Sequence, residues 1–160
     1  MSNDIKISLD EDFLEGDFVF DEIIQDLESD GGLETAVIIS LFTDRRANED
    51  DVLPDSNNLD RRGWWGDLTS GFENDQIGSR LWLLEREKTI PNVVIRAKQY
   101  AEEALQWLVN DGVAVKIEVE AERQGMLGND VLAISCRIFK PDGTDIPFKY
   151  LMQWAAQELR

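Results

Sequence analysis

Carboxylates dominate the groups in this 160-residue chain that could do chemistry: 33 Asp and Glu stand against 16 Lys and Arg, with no His and one Cys. Two acids roughly 5 to 9.5 Å apart, one of them in an apolar pocket that raises its pKa, would suit glycoside hydrolysis. Glu85 alone sits in a markedly apolar local setting, directly after Leu81-Trp82-Leu83-Leu84, and its neighbour Arg86 favours the ionised form over the protonated one a general acid needs. A second acidic group, Glu49, Asp50, Asp51, Asp55, Asn57 and Asp60, suggests calcium. The EF-hand spacing fails there, because Leu59 stands where an Asp or Asn is required and no Gly follows. Cys136 has no His to activate it and reads as a packed thiol. Gly63-x-x-Gly66 lacks the Lys of a phosphate loop. The sequence thus points to no cofactor and no metal.

What remains is a stretch rich in tryptophan and arginine. It reads Asp60-Arg61-Arg62-Gly63-Trp64-Trp65-Gly66-Asp67, then Gly78-Ser79-Arg80-Leu81-Trp82-Leu83-Leu84. Too rich in Gly for a regular helix and too apolar for a solvated linker, it predicts an ordered loop. Its indoles either close over the domain's own core or meet a partner, and the two uses are compatible. Trp and Arg most often carry interface energy.

The elements that must hold this loop are legible to different degrees. Residues 1–29 are acidic with short apolar islands and predict an extended N-terminal arm with one or two short strands. Asp30-Gly31-Gly32 opens a helix running to about Ala47, with Arg45 and Arg46 at its negative end. That helix is apolar on most sides, so it should be covered on most sides. Residues 48–59 are loop. From about Asn92 to Asn110, Val93, Ala97, Tyr100, Ala101, Ala104, Leu105 and Leu108 form one helical face. A strand follows in which Val113, Val115, Ile117, Val119 and Ala121 alternate with charged residues. After a linker at 123–130, a second strand puts Leu132, Ile134, Cys136 and Ile138 on one face. The pair predicts an antiparallel hairpin, with Arg137 meeting Glu118 or Glu120 across it. Pro141 to Asp145 is a turn, and Phe148, Leu151, Met152, Ala155 and Leu159 predict a last helix with Pro147 in its first turn. The expected fold is α+β: about three helices on a small, mostly antiparallel sheet, with residues 30–160 one domain behind the arm.

Composition narrows the function. A net charge of −17 repels phosphates and anionic membrane surfaces, so neither nucleic acid nor membrane is an expected partner. No signal peptide and no membrane-length apolar run is read. Basic-faced proteins are the natural partners. An acidic mimic of DNA is the alternative suggested by charge alone.

Several strings together resemble a family. Gly32-Leu33-Glu34-Thr35-Ala36-Val37, Ser40-Leu41-Phe42-Thr43-Asp44-Arg45-Arg46-Ala47, Arg61-Arg62-Gly63-Trp64-Trp65-Gly66-Asp67, Gly78-Ser79-Arg80-Leu81-Trp82 and Tyr100-Ala101-x-x-Ala104-Leu105-x-Trp107-Leu108 resemble the gene-forty-six protein of Mu-like phages. That family is similar to the wedge proteins of contractile-tail baseplates, once labelled tail lysozymes. The resemblance implies a non-enzymatic virion protein of the tail baseplate, assembled in the host cytoplasm. It would join other baseplate wedge proteins near the tail tube or central hub, in six copies per baseplate, and offer a start for the tail sheath by β-strand augmentation. A peptidoglycan-cleaving tail lysozyme using Glu85 is the alternative. Where the wider wedge family carries Glu-Pro-Arg to grip helical partners, this chain has Asn110-Asp111-Gly112-Val113, with Asp111 the counterpart of the acid. The expected partner-binding residues are Phe18 and Phe20 in the arm, Arg61, Arg62, Trp64, Trp65 and Asp67 in the loop, Arg80 and Trp82 behind it, and Asp111. Strands 113–121 and 131–139 would add main-chain pairing.

Overall fold

The computed structural model describes residues 4–5, 7–9, 16–18, 20–21, 26–27, 29–30, 32–55, 57–68, 76–85, 91–126 and 129–153. Ahead of the first helix, short strands pair antiparallel: β1 (Asp4–Ile5) with β6 (Ser29–Asp30), β2 (Ile7–Leu9) with β3 (Gly16–Phe18), and β4 (Phe20–Asp21) with β5 (Asp26–Leu27). β2 and β6 lie beside α1 (Leu33–Phe42).

α1 begins at Gly32 in the left-handed conformation and stops at Phe42, five residues before the expected end at Ala47. The cause is tertiary. Thr43 is extended, Ser79 N–H donates to Thr43 O at 2.9 Å and Arg45 N–H donates to Ser79 O at 3.0 Å, so the chain trades helical bonds for a parallel bridge between Asp44 and Ser79. Arg45 and Arg46 therefore belong to the loop and not to a helix end.

α2 (Pro91–Leu105) and the short α3 (Trp107–Asn110) cover the predicted helical range, interrupted at Gln106. Every residue of the predicted stripe is buried. Pro91 opens α2, where its missing N–H costs nothing, and Gly112 follows α3 with φ +72°.

The sheet has three antiparallel strands, β7 (Lys116–Met126), β8 (Asn129–Phe139) and β9 (Asp145–Gln153), in that spatial order. Two expectations are corrected here. The linker at 123–130 is mostly strand. The last helix is β9 over its described part, with Ala155 and Leu159 outside the described residues. Phe148, Leu151 and Met152 fit a helical spacing, but Ile146, Phe148, Tyr150 and Met152 also alternate with Pro147, Lys149 and Leu151. The turn decides between them: Gly143 takes φ +86°, Lys140 N–H donates to Thr144 O at 2.8 Å, and Asp142 Oδ1 accepts from Thr144 N–H at 2.8 Å. A hairpin closes, and β9 pairs with β8 from Val131 to Phe139. The fold is α+β, with two principal helices rather than three.

The core lies between the helices and one face of the sheet. Val119, Ile134, Cys136, Ile138 and Leu132 meet Val93, Ala97, Ala101 and Leu105 of α2, and α1 packs beside α2. Val113 and Val115, expected to continue the buried row, are exposed because they precede β7. On the outer face Glu118 stands opposite Arg137 in the ladder, while Arg137 itself pairs with Asp145 at 3.4 Å.

Candidate functional site

The tryptophan segment is held by main chain and a serine before any indole is placed. Ser79, 2% exposed, donates its hydroxyl to Leu41 O at the end of α1 and accepts from Leu81 N–H at 3.2 Å. Gly78 takes φ +96°, and a side chain there would run into the Thr43 carbonyl, so the close approach of the two loops requires glycine. Ala47 N–H donates to Arg61 O at 2.9 Å, closing the 48–60 loop. Past Ser79 a 3₁₀ turn, Leu81–Leu84, buries all four of its side chains.

The arginines turn inward. Arg80 sets its guanidinium on both oxygens of Asp51 at 3.0 and 3.1 Å, on Glu103 of α2 at 2.6 Å, and 4.6 Å from the Tyr100 ring centroid. Arg62 pairs with Asp44 at 2.8 Å and Glu85 at 3.3 Å and lies 4.4 Å over the Trp82 ring. Arg61 donates to the carbonyls of Asn48 and Glu49. Arg45, expected to close the negative end of a longer first helix, instead pairs with Glu103 at 3.2 Å. Trp82 is 5% exposed and donates its indole N–H to Arg45 O at 2.8 Å. Arg61, Arg62, Arg80 and Trp82 thus tie residues 44–51, 61–62 and 80–85 to one another and to α2.

Trp64 and Trp65 do the opposite. They are 40% and 74% exposed, with ring centroids 5.4 Å apart and planes tilted by 45°. Gly66 is buried beneath the Trp64 ring, and a Cβ there would overlap it. Asp67 anchors the far end of the loop: its N–H donates to Trp64 O at 3.2 Å, and its carboxylate accepts from Ile77 N–H at 3.2 Å. The indoles are therefore presented on a fixed backbone.

The other expected site residues lie apart. Phe18 sits on β3 opposite Ile7, and Phe20 on β4 opposite Leu27. Asp111 is exposed at the end of α3, its N–H donating to Trp107 O at 2.8 Å. β8 is the middle strand, paired on both sides, so the expectation that residues 131–139 offer a free edge is corrected. The edges of this three-stranded sheet belong to β7 and β9.

Glu85 is exposed and its carboxylate faces Arg62, not the apolar pocket that a general acid needs. Burial pushes the Cys136 thiol up to about 12, away from the thiolate that would react. Among the described residues no three His, Cys, Asp or Glu converge on a common point, and Asp51 of the acidic loop is committed to Arg80.

A family model described as phage protein GP46 matches residues 33–145. The family model covers the tryptophan segment along with most of the chain. The chain is 47% identical over 135 residues to baseplate protein gp46 of Escherichia phage Mu, covering 84% of this chain and 87% of the relative. It is 39% identical over 142 residues to the Mu-like prophage FluMu protein gp46 of Haemophilus influenzae, covering 88% and 91%. The chain belongs to the phage protein GP46 family.

Proposed function

We propose that this chain is a structural subunit of a contractile-tail baseplate, joining larger wedge proteins beside the tail tube in six copies and giving the sheath a place to start. Its similarity to a phage Mu protein named as a baseplate protein supports the coarse role. The mode of assembly is strand addition, helped by the paired indoles of Trp64 and Trp65 as a second contact.

One observation carries the choice of edge. Lys140 and Thr144 are hydrogen-bonded across the β8–β9 hairpin. In an antiparallel pair, bonded and non-bonded positions alternate. Ile146 opposite Ile138 is then a bonded pair, and Pro147 opposite Arg137 points its nitrogen to the outer edge of β9. That edge lacks a donor near its start, which is how proteins blunt an edge. The same phase carried through β8 turns the amides of Ile117, Val119, Ala121 and Arg123 outward along β7, with no proline among them. β7 is the acceptor.

Ala121→Pro tests this. The substitution removes an outward N–H without breaking the β7–β8 ladder, so the chain should keep its circular dichroism and its melting cooperativity while incorporation into assembled tails falls. An amide-to-ester change at the same position removes the donor without the proline ring and should act in the same direction. Wild-type incorporation of both folded variants would overturn the strand-addition reading.

A further inference from the structure

α1 is not covered on every side, and where the covering fails there is a groove. α1, α3 and the segment 76–78 enclose about 300 Å³. Ala36, Ile39, Ile77, Ala104 and Trp107 line it, and Asp111 is its one charged lining residue. Ile39 and Trp107 are 42% and 37% exposed.

Several polar atoms around this groove are already engaged. Trp107 Nε1 donates to Ser40 Oγ at 2.9 Å, and Ser40 Oγ donates to Ala36 O at 2.7 Å. Gln76 Oε1 accepts from Arg45 Nε at 3.0 Å. An occupant rich in hydrogen-bonding groups would lose water and find few partners, whereas an apolar side chain gains by leaving water. Asp111 is the exception: no cation among the described residues pairs with its exposed carboxylate. The chain's charge of −17 favours a basic partner as well.

We propose that this groove takes one apolar side chain from another protein, flanked by a Lys or Arg that pairs with Asp111. The existence of such a partner rests on the reading of the chain as an assembly subunit; the groove's preference for that chemistry does not.

The test uses the full chain, isotopically labelled for NMR, and two capped peptides: a leucine followed by two arginines, and a leucine followed by two glutamates. The expected result is that the arginine peptide shifts the Trp107 indole and Ala36 signals and binds about threefold tighter than the glutamate peptide, as one exposed ion pair allows. Because the whole molecule attracts cations, the deciding variant is Asp111→Asn, which should abolish that preference at the groove. Ala36→Leu, which fills the groove from a half-buried position on α1, should abolish the shifts for both peptides while the melting curve is kept. A preference that survives Asp111→Asn, shifts that avoid the groove, or groove signals that move with protein concentration alone (a second copy as occupant) would each overturn the proposal. Failure of the assembly reading is seen separately, in whether the wild-type chain is found in purified tails at all.

Discussion

Trp82 and Trp65 come from the same arginine-rich stretch, and the fold uses them in opposite ways. Trp82 is sealed among Leu81, Leu83 and Leu84, with its N–H on the Arg45 carbonyl and the Arg62 guanidinium over its face. Trp65 leaves 74% of its surface in water. The chain gives Trp82 a hydrogen-bond acceptor, a cation and an apolar wall, and gives Trp65 a rigid loop and a neighbouring indole. A tryptophan supplied with all three kinds of partner is structural. One held outward by its backbone is available to something else.

The comparison is broken most sharply from the buried side. Trp82→Ala should cost about 3–5 kcal/mol in denaturant unfolding, because it leaves a cavity and uncovers the Arg45 carbonyl and the Arg62 cation together. A loss below about 1 kcal/mol would mean that the segment 81–84 is not part of the cooperative core. A smaller effect comes from the serine that positions both tryptophan regions. Ser79→Ala leaves the Leu41 carbonyl and the Leu81 N–H without their shared hydroxyl in a buried site, and should cost about 1–3 kcal/mol. Threonine at this position retains the hydroxyl, so a variant with Ser79→Thr should recover part of that loss if the hydrogen bonds are its cause.

The parts of this fold that were legible in the sequence are those whose pattern closes on itself. α2 shows one continuous apolar face, and the hairpin of β7 and β8 shows plain alternation, so both could be placed from spacing alone. β9 was misread because its apolar residues satisfy a helical and a strand period at once, and only the hairpin geometry at Gly143 separates them. The end of α1 was invisible for a different reason. No glycine or proline stops it; a bridge to Ser79, far along the chain, does. The candidate site shows the same limit. Composition marked the arginines and tryptophans as important, yet their direction depends on Asp51 and Glu103, 29 and 23 residues from Arg80, and no local signal links them. The edge strand β7 was read as strand over its first half, with its start placed three residues early and its end taken for a linker, while the edge expected on β8 disappeared once a third strand was present.

The exposed side gives the smallest effect on the fold and the most informative one on its use. Trp64→Ala and Trp65→Ala together remove one indole that is mostly in water and one that is somewhat more than half covered, and the backbone of their loop is kept by Asp67 and its bonds to Trp64 O and Ile77 N–H. The double variant should therefore unfold within about 0.5 kcal/mol of wild type for Trp65 and within about 1 kcal/mol overall, Trp64 being the more covered of the two. If the indoles bind a partner, incorporation into tails should drop in the same variant, since buried tryptophans at interfaces typically contribute 2 kcal/mol or more, on the order of thirtyfold. A large stability loss would place both indoles with Trp82 as core. Unchanged stability with unchanged incorporation would leave the β7 edge as the sole basis of assembly, and the contrast between the two tryptophan regions would then describe how this loop folds and nothing about what it meets.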